Sequence, residues 1–134
     1  MINLLYVVSN LNKVGPTKQL SYIIKYIDKN KFNIFVLTLS NDSTNSMRDY
    51  FKNTLNVKVD TLNMSIIKGL LFARHEINNY IQLNTIQLIH SQGLRADFIV
   101  NLIKTLPTCS TIRNYPYYDY KMKRGNVFGS IMAY

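Results

Sequence analysis

Short apolar runs alternate with amphipathic stretches along this chain, and that rhythm restricts the fold more than any other feature. Leu4, Leu5, Tyr6, Val7 and Val8 follow one another without a polar break, the pattern of a strand covered on both faces. A polar loop occupies residues 9–16, and Thr17 is expected to cap a helix in which Leu20, Ile23, Ile24 and Ile27 form a one-sided apolar stripe. Residues 32–39 read as a second buried strand, residues 47–53 as a short helix, and residues 57–62 as an alternating strand at a sheet edge. Ser65 opens a longer helix carrying Ile66, Leu70, Ala73, Ile77 and Ile81. A fourth strand is expected over residues 86–90. A helix over 94–106 then presents Ile99, Leu102, Ile103 and Leu106, and Pro107 precedes a fifth strand over 109–112. Strands joined by helical crossovers imply a doubly wound, Rossmann-like α/β domain with a mostly parallel sheet in the order 3-2-1-4-5.

A length of 134 residues is that of one domain, and 47% hydrophobic with 17% charged residues is a globular balance. Sixteen Lys and Arg against seven Asp and Glu leave a net charge of +9, which suits an anionic partner without choosing one. Cys109 is the single cysteine, so no internal disulfide forms; it is expected as a small buried side chain beside a strand. The apolar start is too short for a signal-peptide core or a membrane span, which places the protein in the cytoplasm, with the inner face of a membrane as a peripheral site.

Ligands of open parallel sheets bind beyond the carboxyl ends of the strands, where strand order reverses. That rule selects the loops after strands one, four and five: residues 9–17, 90–95 and 113–120. The first, with Gly15 and Thr17, leads into a helix amino terminus, where backbone amides favour phosphate. It has neither the spaced glycines of a dinucleotide fingerprint nor a P-loop ending. The second brings His90, which reads as a base, a hydroxyl partner or a packed residue, and Arg95 in the first helical turn. The third carries Arg113, Asn114, Tyr115, Tyr117, Tyr118, Tyr120, Lys121, Lys123 and Arg124. Tyrosines with asparagine suit sugar rings, and the same tyrosines with cations suit bases or a membrane interface. There is no Asp-x-Asp pair and no His or Cys cluster with ligand spacing, so neither a metal nor another cofactor is expected.

Taken in order, these segments resemble the amino-terminal domain of the group-one, family-four glycosyltransferases of the GT-B fold. LLYVVSNLNKVGPTKQLSYIIKYIDKNKFNIFVLTLS is similar to that family's first strand, glycine loop, helix and second strand, keeping one glycine of a frequent pair. LIHSQGLRADFIVNLI resembles its strand-to-helix turn, with Gln92 where a second His is common. STIRNYPYYDYKMKRG resembles its thr-x-his-asn-tyr-pro turn, with Arg113 where His is usual.

The resemblance covers essentially the whole chain. It implies metal-independent transfer of a sugar from a nucleotide-sugar donor to a polysaccharide or lipid-linked glycan. Residues 1–134 would be the acceptor-side domain, cut off before the donor-binding domain and inactive alone. Gly15 and Thr17 would face the donor phosphates. His90, Arg95, Arg113, Asn114 and Tyr115 would line the acceptor side, and the catalytic residue stays unassigned. The cluster from Tyr117 to Arg124 would meet the acceptor or an anionic membrane. A non-catalytic basic module for nucleic acid or another anion is the alternative reading. Nucleic acid is not the expected partner, since the cations are scattered and no nucleic-acid motif is present.

Overall fold

The computed structural model describes residues 1–113. Five strands form one all-parallel sheet: β1 (Ile2–Val8), β2 (Phe32–Thr38), β3 (Lys58–Thr61), β4 (Leu88–Gln92) and β5 (Thr108–Thr111). Their spatial order is β3-β2-β1-β4-β5, as the crossover rhythm predicts. Helices α1 (Gly15–Tyr26), α2 (Ile66–Leu83) and α3 (Leu94–Asn101) cover the sheet, with a single π-helical turn at Tyr50–Thr54. The architecture is Rossmann-like α/β.

The unbroken apolar run of β1 is needed because both faces of this central strand are buried. Leu5 and Val7 join Leu37, Ala73, Ile77, Ile89 and Ile99 under α2 and α3. Leu4, Tyr6 and Val8 turn the other way and join Leu20, Ile24, Val36 and Phe51 under α1 and the π-turn. The period of two along the strand thus builds both cores.

Several local expectations are corrected. Thr17 caps nothing: α1 begins two residues earlier, its cap position is Val14 with no side-chain hydrogen bond, and Thr17 is buried in the first turn. Pro16 suits that start because a first-turn residue needs no intrahelical N–H partner. The short helix expected over residues 47–53 is present over residues 48–54, and its last five, Tyr50–Thr54, are wound as the π-turn.

Ser65 does cap α2, accepting from the Lys68 amide. The buried stripe of α2, however, is Gly69, Ala73, Ile77 and Ile81, which leaves Ile66 and Leu70 exposed. β4 runs on to Gln92, because Ser91 and Gln92 pair with Val7 and Val8 despite their polarity. α3 ends at Asn101, with Leu102 outside it and exposed. Cys109 lies on β5, which borders no further strand among the described residues, and is exposed rather than buried. Among the described residues no helix is long and apolar enough to cross a membrane.

Candidate functional site

β1 connects through α1 to β2 on one side, while its other neighbour, β4, is reached only from β3 through α2, so the strand order reverses between β1 and β4. A cleft of about 190 Å³ opens at the carboxyl end of that junction, the position that open α/β sheets use for ligands. Val8, Ser9, Asn10 and Leu11 supply one wall, and Val14 at the cap of α1 with Pro16, Thr17 and Leu20 of the helix supplies a second. Gln92, Gly93 and Arg113 close the third.

The α1 wall carries donors. Helix amino termini leave their first amides without intrahelical partners, and no side chain caps this one. Pro16 has no N–H, and the first helical bond runs from Lys18 to the Val14 carbonyl. The Gly15 and Thr17 amides are therefore the donors at this end of the helix dipole. Gly15 is exposed, and a Cβ there would meet nothing within 4 Å.

Arg113 reaches the opposite wall. Its guanidinium donates to Gln92 Oε1 at 2.6 Å and to the Gln19 side chain on α1. Both partners are neutral, and among the described residues no carboxylate pairs with Arg113. The guanidinium is thus oriented by two neutral amide oxygens. Gln92 is buried, and its Nε2 is shielded from solvent with no hydrogen-bond partner, which costs free energy of about 1–3 kcal/mol. Gly93 makes the turn from β4 into α3 at φ +96° and ψ 148°, a backbone region essentially reserved for glycine.

The loop after β1 is held by a side chain the sequence did not single out. Asp42 accepts from the Leu11 amide at 2.7 Å, from Ser46 Oγ at 2.9 Å and from Arg48 Nε at 2.6 Å. Arg48 continues to Thr38 Oγ1 at 2.9 Å. Burial alone would raise the Asp42 pKa. The hydrogen bonds from Arg48, Leu11 and Ser46, with the Arg48 charge, outweigh it and hold the carboxyl below 3.8.

Not all of the residues proposed from sequence meet at the cleft. Thr17 and Arg113 line it, and Gly15 sits between two lining residues. His90 does not reach it. It lies two residues before the end of β4, half-buried against Tyr6 with ring centroids 4.9 Å apart, and its Nε2 is 2.7 Å from Thr111 Oγ1. Burial lowers its pKa and the Arg113 charge adds to that, while Asp97 opposes both. Burial also pushes the neighbouring Tyr6 hydroxyl up to about 12.

Arg95 turns away from the cleft, donating to Ser40 Oγ at 2.6 Å and to the Met64 and Ser65 carbonyls at 3.2 and 3.0 Å. It clamps the entry to α2. Asp97 accepts from Ser91 Oγ at 2.6 Å. Asn114, Tyr115, Tyr117, Tyr118, Tyr120, Lys121, Lys123 and Arg124 lie outside the described residues. Among those described, no three His, Cys, Asp or Glu side chains gather as a metal site.

The fold and cleft define a Rossmann-like α/β domain with a pocket at its switch point. No family model matches the chain, and no curated protein matches it in sequence.

Proposed function

We propose that this chain is the acceptor-side domain of a GT-B glycosyltransferase, which moves a sugar from a nucleotide-sugar to a glycan or lipid-linked acceptor. The observation that carries this reading is the cleft between β1 and β4, where the uncapped start of α1 faces a guanidinium held by neutral partners. Such a pair of walls is suited to a diphosphate: amides and helix dipole on one side, a full charge on the other. The three segments that resemble the family contribute these walls. In that reading the Gly15 and Thr17 amides hold phosphate oxygens, and Arg113 neutralises charge as the leaving diphosphate develops.

The size of the cleft supports a partial site. About 190 Å³ is below the roughly 300–1,000 Å³ of complete small-molecule pockets. The sugar and base of a donor would need walls from a second domain. His90 sits one pleat beneath the cleft, tied to Thr111, and in this reading it orients β5 rather than touching substrate. Transfer without a metal follows from the resemblance.

The test is a titration of the chain with pyrophosphate, UDP and GDP, followed by amide NMR. Weak, saturable shifts at Gly15, Thr17 and the Arg113 side chain are expected. Gly15→Pro, which removes one amide donor at a helix position that tolerates proline, should weaken them, as should Arg113→Ala. No shift with any of these anions would reject the reading. Salt-sensitive retention of single-stranded RNA in preference to all of them would do the same, in favour of a basic binding module.

A further inference from the structure

The amino-terminal half of α2 exposes an apolar collar that the fold does not use. Ile67 is 76% and Leu71 68% exposed, and Ile66, Leu70 and Phe72 are also open to solvent. At 100° per residue these side chains span more than half of the helix circumference, so they do not form the single stripe that would pack on one more helix. The carboxyl-terminal half of the same helix differs: Leu83, its last residue, is the one open apolar side chain there, beside exposed Gln82 and half-buried Asn78 and Asn79. Exposed apolar surface is therefore concentrated at one end of α2. That end follows β3 and lies at the same carboxyl edge of the sheet as the cleft.

The charge around the collar has one sign. Lys68 projects from within it and Arg74 follows it, both exposed. Glu76 is the single acidic residue of α2. Arg95 fixes the attitude of this end through its bonds to the Met64 and Ser65 carbonyls.

We propose that the first two turns of α2 form a docking surface for an anionic lipid bilayer, with Ile66, Ile67, Leu70 and Leu71 entering the interface while Lys68 and Arg74 meet headgroup phosphates. A bilayer is the occupant because a fluid apolar medium can surround side chains that radiate around a helix end, which one rigid protein face cannot. The flanking cations complement acidic headgroups. The surface stands on the collar alone and does not depend on the sugar-transfer reading. It also differs from the Tyr117–Arg124 cluster suggested by sequence.

The experiment is flotation of the full chain with phosphatidylcholine vesicles, with and without phosphatidylglycerol. Binding to the acidic vesicles and little to the neutral ones is expected. Ile67→Ser with Leu71→Ser should lower partitioning by roughly tenfold or more, since two branched side chains no longer enter the apolar phase. Lys68→Gln with Arg74→Gln should lower it by about fivefold per charge on acidic vesicles only. All four side chains are exposed, so circular dichroism should show the fold retained.

Three outcomes would overturn the proposal. The wild-type chain could ignore acidic vesicles. Binding could survive the Ile67 and Leu71 changes and vanish on neutralising Lys121, Lys123 and Arg124. The chain could prove to be a dimer that those two α2 changes dissociate, making the collar a contact between copies.

Discussion

The Asp42 carboxylate accepts a 2.7 Å hydrogen bond from the backbone amide of Leu11, joining the loop after β2 to the loop that walls the cleft. Leu11 is fully buried, so its amide has no access to water as a substitute. Asp42 also holds Arg48 of its own loop, which bonds on to Thr38 of β2, so the two loops at this edge become one unit.

Asp42→Ala is therefore expected to cost about 2–3 kcal/mol, the scale of a charge-assisted hydrogen bond lost with its partner left buried. Urea unfolding of the variant measures it. A loss near zero would mean that water replaces the carboxylate. The same variant should weaken pyrophosphate binding, because the wall formed by residues 9–11 loosens.

Protonation should act through His90. Its pKa in the fold lies below the ordinary 6.5, chiefly because burial disfavours the imidazolium. The unfolded chain then binds more protons than the folded one as pH falls below 6.5. The stabilisation is complete above that value and is lost progressively beneath it. Thermal melts from neutral to mildly acidic pH should show a falling Tm, and His90→Gln should flatten that slope. Asp42 contributes in the same direction at lower pH: its pKa lies below 3.8, so its stabilisation is present above that value and disappears as pH drops through the depressed one.

Gly69 and Arg95 should behave as a coupled pair. A Cβ on Gly69 would lie 2.5 Å from Arg95 Nη2, and that guanidinium is pinned by three oxygen acceptors. Gly69→Ala alone is expected to destabilise, because the displaced clamp outweighs the helix-propensity gain of about 1 kcal/mol. In an Arg95→Ala background the clash is gone, and the same change should stabilise by up to about 1 kcal/mol. A double-mutant cycle in urea reads the reversal of sign.

Gly93→Ala tests backbone conformation rather than space. No atom would touch the added Cβ within 4 Å, yet φ is +96°. A cost of about 1–3 kcal/mol is expected from conformation alone, measurable by thermal unfolding. A neutral effect would show that the turn from β4 into α3 relaxes without loss.

The sequence by itself determined the sheet. Continuous apolar runs at β1 and β2, separated by helical periods, require strands buried on both faces and crossovers between them. The right-handed crossover then leaves few strand orders, and the observed β3-β2-β1-β4-β5 is the one expected. The loops at the cleft follow from that order.

What only the tertiary structure decided is where side chains with two possible destinations go. In α2, Ile66 and Leu70 lie close in angle to the stripe through Gly69, Ala73, Ile77 and Ile81, and periodicity cannot say which of them the sheet covers. Ser91 and Gln92 looked like loop because they are polar, but pairing with Val7 and Val8 satisfies their backbone as strand. Arg95 reaches Ser40, 55 positions away in the chain, and Asp42 reaches Leu11, 31 away. Local periodicity fixes which period a segment adopts; which face it buries, and which distant amide its polar group serves, depends on neighbours that only chain folding supplies.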